Sequence, residues 1–234
     1  MAIRESQERV TSAIKNSGFR FPQGNNVVNL APADIRKEGS ALDLPIAIGL
    51  LAASGQISNT KLGEYTLVGE LALDGSLRTV SGALCMAIAA RKQGLQGILL
   101  PYENADAAGV VPGIDVLPVT TLREAVEFMN GEIELLPHRT DLESIITEER
   151  DSIADFTDVK GQAHVKRALT VAAAGGHNIL MIGPPGTGKT MLASRLPGIL
   201  PDMTFEESLE TTRVYSVSNL PSHERTLITK RPFR

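Results

Sequence analysis

The sequence predicts a mixed α/β and α+β protein built in two parts, on three observations. Runs with strand character alternate with runs of helical period as far as about residue 130, which is the pattern of layered sheet-and-helix domains. A hairpin signature is centred on Asp74-Gly75. Beyond residue 155 the pattern restarts, and an apolar pentapeptide, a glycine-rich turn and a helical run follow one another from Asn178 onward. With 42% hydrophobic and 21% charged residues, the chain has the composition to bury a core, which argues against disorder.

Ile3, Val10, Ala13 and Ile14 fall on one face at helical spacing, with Arg4, Glu5, Glu8 and Arg9 largely off it, so the chain opens in a helix that runs to Gly18. Residues 26–30 (NVVNL) read as a short strand, followed by the polar loop ADIRKEGSAL. Asp43 is placed to N-cap a buried helix, with Pro45 tolerated in its first turn and Gly55 just past its end. YTLVGELAL and SLRTV then flank Asp74-Gly75, a pair that accepts the positive φ angles of a tight hairpin. Residues 83–93 form a helical pattern closed by Gly94, and residues 97–100 (GILL) read as a strand. Residues 115–119 read as another strand despite Pro118, and Thr121 with Glu124 forms a capping box that opens the helix LREAVEFM.

Residues 132–155 are acidic, lack regular alternation and are interrupted by Pro137, so they read as a linker between a first domain at 1–131 and a second at 156–234. The second domain is expected to hold a helix at 163–174, a buried-type strand at 178–182 (NILMI), a helix from Lys189 and a third helix from Thr204, whose capping partner is Glu207. No internal repeat of fixed period is present.

Charge and cysteine usage exclude several classes. The 23 Lys and Arg against 27 Asp and Glu leave a net charge of -4, so the whole chain is not a polycation that coats nucleic acid, and any such contact must be local. Cys85 is the single cysteine, which rules out an intramolecular disulfide and a thiolate zinc cluster and suits the reducing cytosol. The apolar run at 44–53 contains Pro45 and falls short of the ~20 residues of a membrane-spanning helix. The opening MAIRESQERV is charged where a secretory signal needs its apolar core. The expectation is a cytoplasmic protein with no membrane partner.

The decisive motif is Gly183-Pro184-Pro185-Gly186-Thr187-Gly188-Lys189-Thr190, a full G-x-x-x-x-G-K-[ST] match lying between the apolar run NILMI and the helical run MLASRL. Glycines let successive backbone N–H groups turn toward phosphate oxygens, and the following helix adds the positive end of its dipole. Lys189 supplies a point charge for the β and γ phosphates, and the Thr190 hydroxyl is the expected protein ligand of Mg²⁺. The expected bound species is therefore a magnesium nucleotide. His164 and His177 lack metal-ligand spacing to another His or Cys and read as surface or turn residues.

From these residues outward the chain resembles a known family. DFTDVKGQAHVKRALTVAAAGGHNILMIGPPGTGKTMLASRLPGILP is similar to the first part of the P-loop αβα module of the magnesium-chelatase-like AAA+ ATPases, in particular those of the YifB/ComM competence group. Upstream, NLAPADIRKEGSALDLPIAIGLLAASGQI and VGELALDGSLRTVSG resemble the Lon-protease-like domain of that group, which has a ribosomal S5 domain 2-like fold. The resemblance implies that the bound nucleotide is ATP with Mg²⁺ and that Val159, Lys160, Gly161 and Gln162 lie beside the adenine ring. It also implies that the complete protein forms a hexameric ring and acts on DNA, by branch migration during the uptake and recombination of foreign DNA. The alternative is a chelatase subunit driving Mg²⁺ into a porphyrin, which the Lon-like domain disfavours.

Hydrolysis needs a second acidic site that fixes Mg²⁺ and orients the attacking water, and often an arginine from a neighbouring subunit. After residue 190 no apolar run ends in Asp-Glu, and Asp202, Glu206 and Glu207 read as helix N-terminal charges. No catalytic residue is therefore assigned, and the expectation is an internal part of a longer polypeptide that binds nucleotide weakly without turning it over. The resemblance to the Lon-protease domain raises a Ser-Lys protease reading, which by that likeness would use Ser40, in KEGSALD. Where the base should stand, after Val80-Ser81-Gly82, the sequence has Ala83-Leu84-Cys85-Met86, and Arg91 and Lys92 come more than a helical turn later. The first domain is thus expected to be non-catalytic, serving docking, oligomerisation or a DNA channel. Arg36, Lys37 and Arg78 read as solvated charges. From Thr211 onward Arg213, Arg225, Lys230, Arg231 and Arg234, interleaved with Tyr215 and Phe233, are a candidate strip for a phosphate backbone.

Overall fold

The computed structural model describes residues 2–29, 40–58, 60–141, 154–217 and 227–232. The chain divides into two units, residues 1–140 with 215–226, and residues 141–214 with 227–234.

In the first unit α1 (Ala2–Asn16) buries Val10, Ala13 and Ile14, and α2 (Asp43–Ala53) buries Leu44, Ala47, Ile48 and Leu51 against them. Each such aliphatic side chain contributes roughly 1.5–3 kcal/mol by leaving water. Three strands form a parallel sheet in the order β1 (Tyr65–Leu67), β4 (Gly97–Pro101), β5 (Asp115–Val119), with Thr66 opposite Ile98 and Ile98 opposite Val116. Parallel neighbours require crossovers, and α3 (Ala83–Lys92) and α4 (Ala105–Gly109) lie in the connections. Every residue of β4 is buried, which explains why GILLP is continuously apolar instead of alternating. Helix α5 (Leu122–Asn130) adds Leu122, Ala125, Val126 and Met129 to the core. It starts as expected, with Glu124 N–H donating to Thr121 Oγ1 at 3.2 Å, but the Glu124 carboxylate returns to Thr120 N–H at 2.7 Å.

Pro118 is tolerated because β5 is an edge strand. Its outer side receives the start of the acidic segment: His138 N–H donates to Val116 O at 2.8 Å, forming an antiparallel bridge, and Thr140 N–H reaches Gly109 O at 3.3 Å. Ile133 and Leu135 pack against the core, so residues 132–140 belong structurally to the first unit.

Three expectations are corrected here. The hairpin is shorter than its apolar flanks: β2 (Glu70–Leu71) pairs antiparallel with β3 (Leu77–Arg78), while Tyr65–Leu67 leaves it for the parallel sheet. The break falls at Val68, whose N–H donates to Leu99 O, and at Gly69, whose N–H donates to Ala41 O. In the turn only Gly75 takes a positive φ, +88°. Asp74 instead accepts from Ser76 N–H at 2.9 Å and Ser76 Oγ at 2.7 Å, bonds that hold its carboxyl below the usual range. Secondly, residues 26–29 are not a strand. Val27 is 90% exposed, and no described strand pairs with those residues; Leu30 lies outside the described residues. Thirdly, Asp43 does not cap α2. The N-cap is Leu42, and Asp43 turns into the core, 1% exposed.

The second unit has α6 (Ala163–Gly175), α7 (Lys189–Ser194) and α8 (Phe205–Val217), with single 3-10 turns at Phe156–Asp158, ahead of α6, and at Leu196–Ile199, between α7 and α8. Val159, Leu169 and Leu192 are the buried centre, with Phe156, Val165, Met181 and Leu196 around them. The α8 capping box closes both ways, Thr204 N–H to Glu207 Oε2 at 2.9 Å and Glu207 N–H to Thr204 Oγ1 at 3.2 Å. The strand expected at 178–182 is absent. Met181 faces the cluster, but Leu180 and Ile182 are 82% and 88% exposed, and no described strand of this unit lies alongside to form a ladder. The αβα layering expected for residues 156–234 is accordingly not seen among the described residues. No described helix is long and apolar enough to cross a membrane.

Candidate functional site

The glycine-rich segment is an exposed loop from Gly183 to Gly188, leading into α7 at Lys189. Gly186 and Gly188 have φ of +82° and +80°, conformations that a side chain makes costly, so the two glycines are what bend the loop. Pro184 and Pro185 have no N–H and a fixed φ, and they stiffen the entry. The Lys189 ammonium donates to Pro184 O at 2.7 Å, to Gly183 O at 2.9 Å and to Thr187 Oγ1 at 3.3 Å. Thr187 in turn donates to Pro184 O at 3.0 Å. Thr190 is exposed on the first turn of α7. An ammonium, a hydroxyl and the amides of a glycine-bent loop ahead of a helix are a donor set that fits the phosphates and metal of a magnesium nucleotide.

Val159, Lys160, Gly161 and Gln162 form a turn beside this loop's helix. Val159 is buried with Leu192 of α7 in one cluster, which ties the turn to the helix that Lys189 begins. The turn is tightly held: Val159 N–H donates to Phe156 O, and the Lys166 ammonium donates to Val159 O. Gly161 has φ +69° and Gln162 +56°, the one non-glycine residue with positive φ among those described, a conformation that costs roughly 1–2 kcal/mol. Upstream, Asp155 accepts from Thr157 hydroxyl and, at 2.6 Å, from Thr157 N–H, which keeps its carboxyl below the usual range. Arg195 Nε faces Asp158 Oδ2 at 3.5 Å, an ion pair too long for a good hydrogen bond, while its Nη1 donates to Met191 O.

His164 and His177 are both exposed, and no group of three or more potential metal ligands occurs among the described residues. A cleft of about 220 Å³ lies at the C-terminal end of α7, between Ser194, Pro197, Pro201 and Lys230, and includes no residue of the loop 183–190. Arg231 is engaged with Pro201 O and Glu207, whereas Arg225, Phe233 and Arg234 lie outside the described residues.

The first unit holds a polar constellation that sequence reasoning missed. Asp43 accepts from Ser6 Oγ at 2.6 Å, Arg9 Nε at 2.8 Å and, more weakly, Leu71 N–H at 3.4 Å. The bond to Asp43 pushes the Arg9 guanidinium further up, against the opposing effect of burial. Arg9 and Asp43 are 34 positions apart, and the one available signal was Arg9 lying at the margin of the apolar face of α1. Ser40 Oγ donates to the Glu70 carboxylate, which Arg78 approaches at 3.8 Å. Helix α3 begins with Ala83 and Leu84, both buried, and brings no lysine to this group. Arg36 and Lys37 are outside the described residues.

Comparison with known proteins finds two family matches along the chain. The family described as subunit ChlI of Mg-chelatase matches residues 1–104, and that described as magnesium chelatase, subunit ChlI, matches residues 155–234. The chain belongs to the magnesium-chelatase-like AAA+ proteins. Within them it is of the YifB/ComM type: it is 46% identical to competence protein ComM of Haemophilus influenzae and 48% identical to the uncharacterized protein YifB of Escherichia coli, in each case over 99% of this chain. The chain spans 45% of the length of each of those relatives. A more distant likeness, 26% identity over 52% of the chain and 22% of the relative, is to Lon protease 2 of Bacillus subtilis.

Proposed function

We propose that residues 183–190 bind the phosphates of Mg-ATP and that the complete protein is a ring-forming ATPase, a hexamer by resemblance, that acts on DNA. The observation that carries the nucleotide reading is the G-x-x-x-x-G-K-T segment bent by left-handed Gly186 and Gly188 directly into α7. In this reading the amides of Gly186, Thr187 and Gly188 surround phosphate oxygens, Lys189 offsets the β and γ charge, and Thr190 ligates Mg²⁺. Gly183, Pro184 and Pro185 shape the entry, and Val159 and Gly161 border the adenine. The metal neutralises charge on the β and γ phosphates when bound. Mg-ATP titration by calorimetry tests this: Lys189→Ala should weaken binding at least about tenfold by removing a charge-assisted contact. The 234-residue chain itself is not expected to turn over ATP, and robust turnover abolished by Lys189→Ala would refute that part.

A DNA-acting role, as branch migration during competence and recombination, is supported by the likeness to a protein named for competence. The Lon-like first unit is read as a non-catalytic module, because Ser40 is paired with a carboxylate and no lysine stands in the first turn of α3. The chelatase names of both matching families favour a second reading, a motor for metal insertion into a porphyrin. The ATPase rate of the complete protein with and without branched DNA separates the two, since stimulation by DNA is expected only of the first.

A further inference from the structure

We propose that Thr187 is a positioning residue that seats the Lys189 ammonium on the loop itself and so sets how readily that charge is released to a phosphate. This rests on the nucleotide reading of residues 183–190 and adds a control on the same site. An ammonium has three N–H donors, and three acceptors surround this one: Pro184 O at 2.7 Å, Gly183 O at 2.9 Å and Thr187 Oγ1 at 3.3 Å. All three belong to the loop. The Thr187 hydroxyl spends its single proton on Pro184 O at 3.0 Å, which leaves the oxygen's lone pairs for Lys189. Hydroxyl, carbonyl and ammonium therefore form a closed triangle over Pro184, and β-branching at Thr187 restricts the rotamers that would break it.

A phosphate oxygen competes with this seat for the same three donors. Removing Thr187 Oγ1 takes away one of the three acceptors of Lys189 and the bond to Pro184 O, while Gly186 and Gly188, whose positive φ angles bend the loop, are unchanged. Thr187→Val, close in shape and lacking the hydroxyl, should bind Mg-ATP about fivefold more tightly, the size of effect of one hydrogen bond to a charged group of less than ideal length. Thr187→Ser keeps the oxygen and should bind like the parent chain.

The test is a calorimetric titration of the 234-residue chain with Mg-ATP for the parent, Thr187→Val, Thr187→Ser and Lys189→Ala, with nitrogen-15 NMR of the Lys189 ammonium in nucleotide-free protein as a second readout. Tighter binding by Thr187→Val alone, with faster hydrogen exchange at its Lys189 ammonium, is the expected result. If the parent binds and Lys189→Ala does not, but Thr187→Val binds equally or more weakly, or Thr187→Ser tightens as much, the seat is overturned and the nucleotide reading stands. If the parent fails to bind, or Lys189→Ala binds as well as the parent, the nucleotide reading falls and takes the seat's function with it. An unchanged ammonium exchange rate in Thr187→Val overturns the seat whatever the nucleotide does.

Discussion

GILLP at 97–101 and NILMI at 178–182 are both short, largely apolar runs, and they end differently. The first is the central strand of the parallel sheet, every residue buried between β1 and β5. The second joins no ladder, and two of its five side chains are more than four-fifths exposed. The difference teaches that apolar β-character is an offer, and that a strand exists where neighbours accept its backbone donors and acceptors. In the first unit α3 and α4 return the chain alongside itself, so GILLP has a partner on each side. Among the described residues of the second unit no segment does this for NILMI. The same contrast holds for polar anchoring: Asp43 ties α1 and β2 to the start of α2 through bonds that are partly or wholly buried, whereas the polar contacts of the loop 183–190 are exposed.

Substitutions can break or sharpen this comparison. The largest effect is expected of Asp43→Ala, which leaves the partly buried Arg9 without its carboxylate and should destabilise the first unit by about 3–5 kcal/mol in a urea titration followed by circular dichroism. Leu99→Ala in GILLP should cost about 2–5 kcal/mol by cavity formation, and Leu180→Ala in NILMI no more than about 0.5 kcal/mol. Equal losses at the two sites would break the comparison outright. Next come the two helix caps, one in each unit: Thr121→Ala and Thr204→Ala should each remove about 1 kcal/mol from the helix they start, because the same local bond is lost in both settings.

The smallest effects belong to two exposed turns. Asp74 in the first unit and Asp155 in the second each accept a hydroxyl and an amide from the residue two positions on, and both carboxyls are held below the ordinary range. A carboxyl whose folded pKa is depressed contributes stability that is present above its unfolded pKa and is lost as pH falls through the folded value. Both turns should therefore hold through neutral and mildly acidic pH and loosen only below the ordinary carboxylate range. NMR titration of the two carboxyl carbons checks this. Ser76→Ala should return Asp74 toward its ordinary midpoint and leave Asp155 where it is.

What was legible in the sequence was local. The caps at Thr121 and Thr204 and the helix closed by Gly94 are set by neighbours within a few residues, and they stand where the sequence predicts them. What failed was non-local. Asp43 has the chemistry of a cap and was taken from it by Arg9, 34 positions away. Tyr65–Leu67 has the alternation of a hairpin arm and was taken by a parallel partner 32 positions on. The loop 183–190 was legible because its residue types and spacing are all contained in eight positions. The Lys189 contacts were not, because any of several acceptors lies within reach of a four-carbon side chain.

The outer side of β5 bears on how the first unit behaves in company. Val116 directs its carbonyl outward to His138, and Pro118, two residues on and therefore on the same side, has no hydrogen to offer. That border is plugged at one position and silent at the next, so a foreign extended peptide finds no continuous row of groups to zip onto. Growth of the sheet from this flank into fibrils is thus blocked by two ordinary residues.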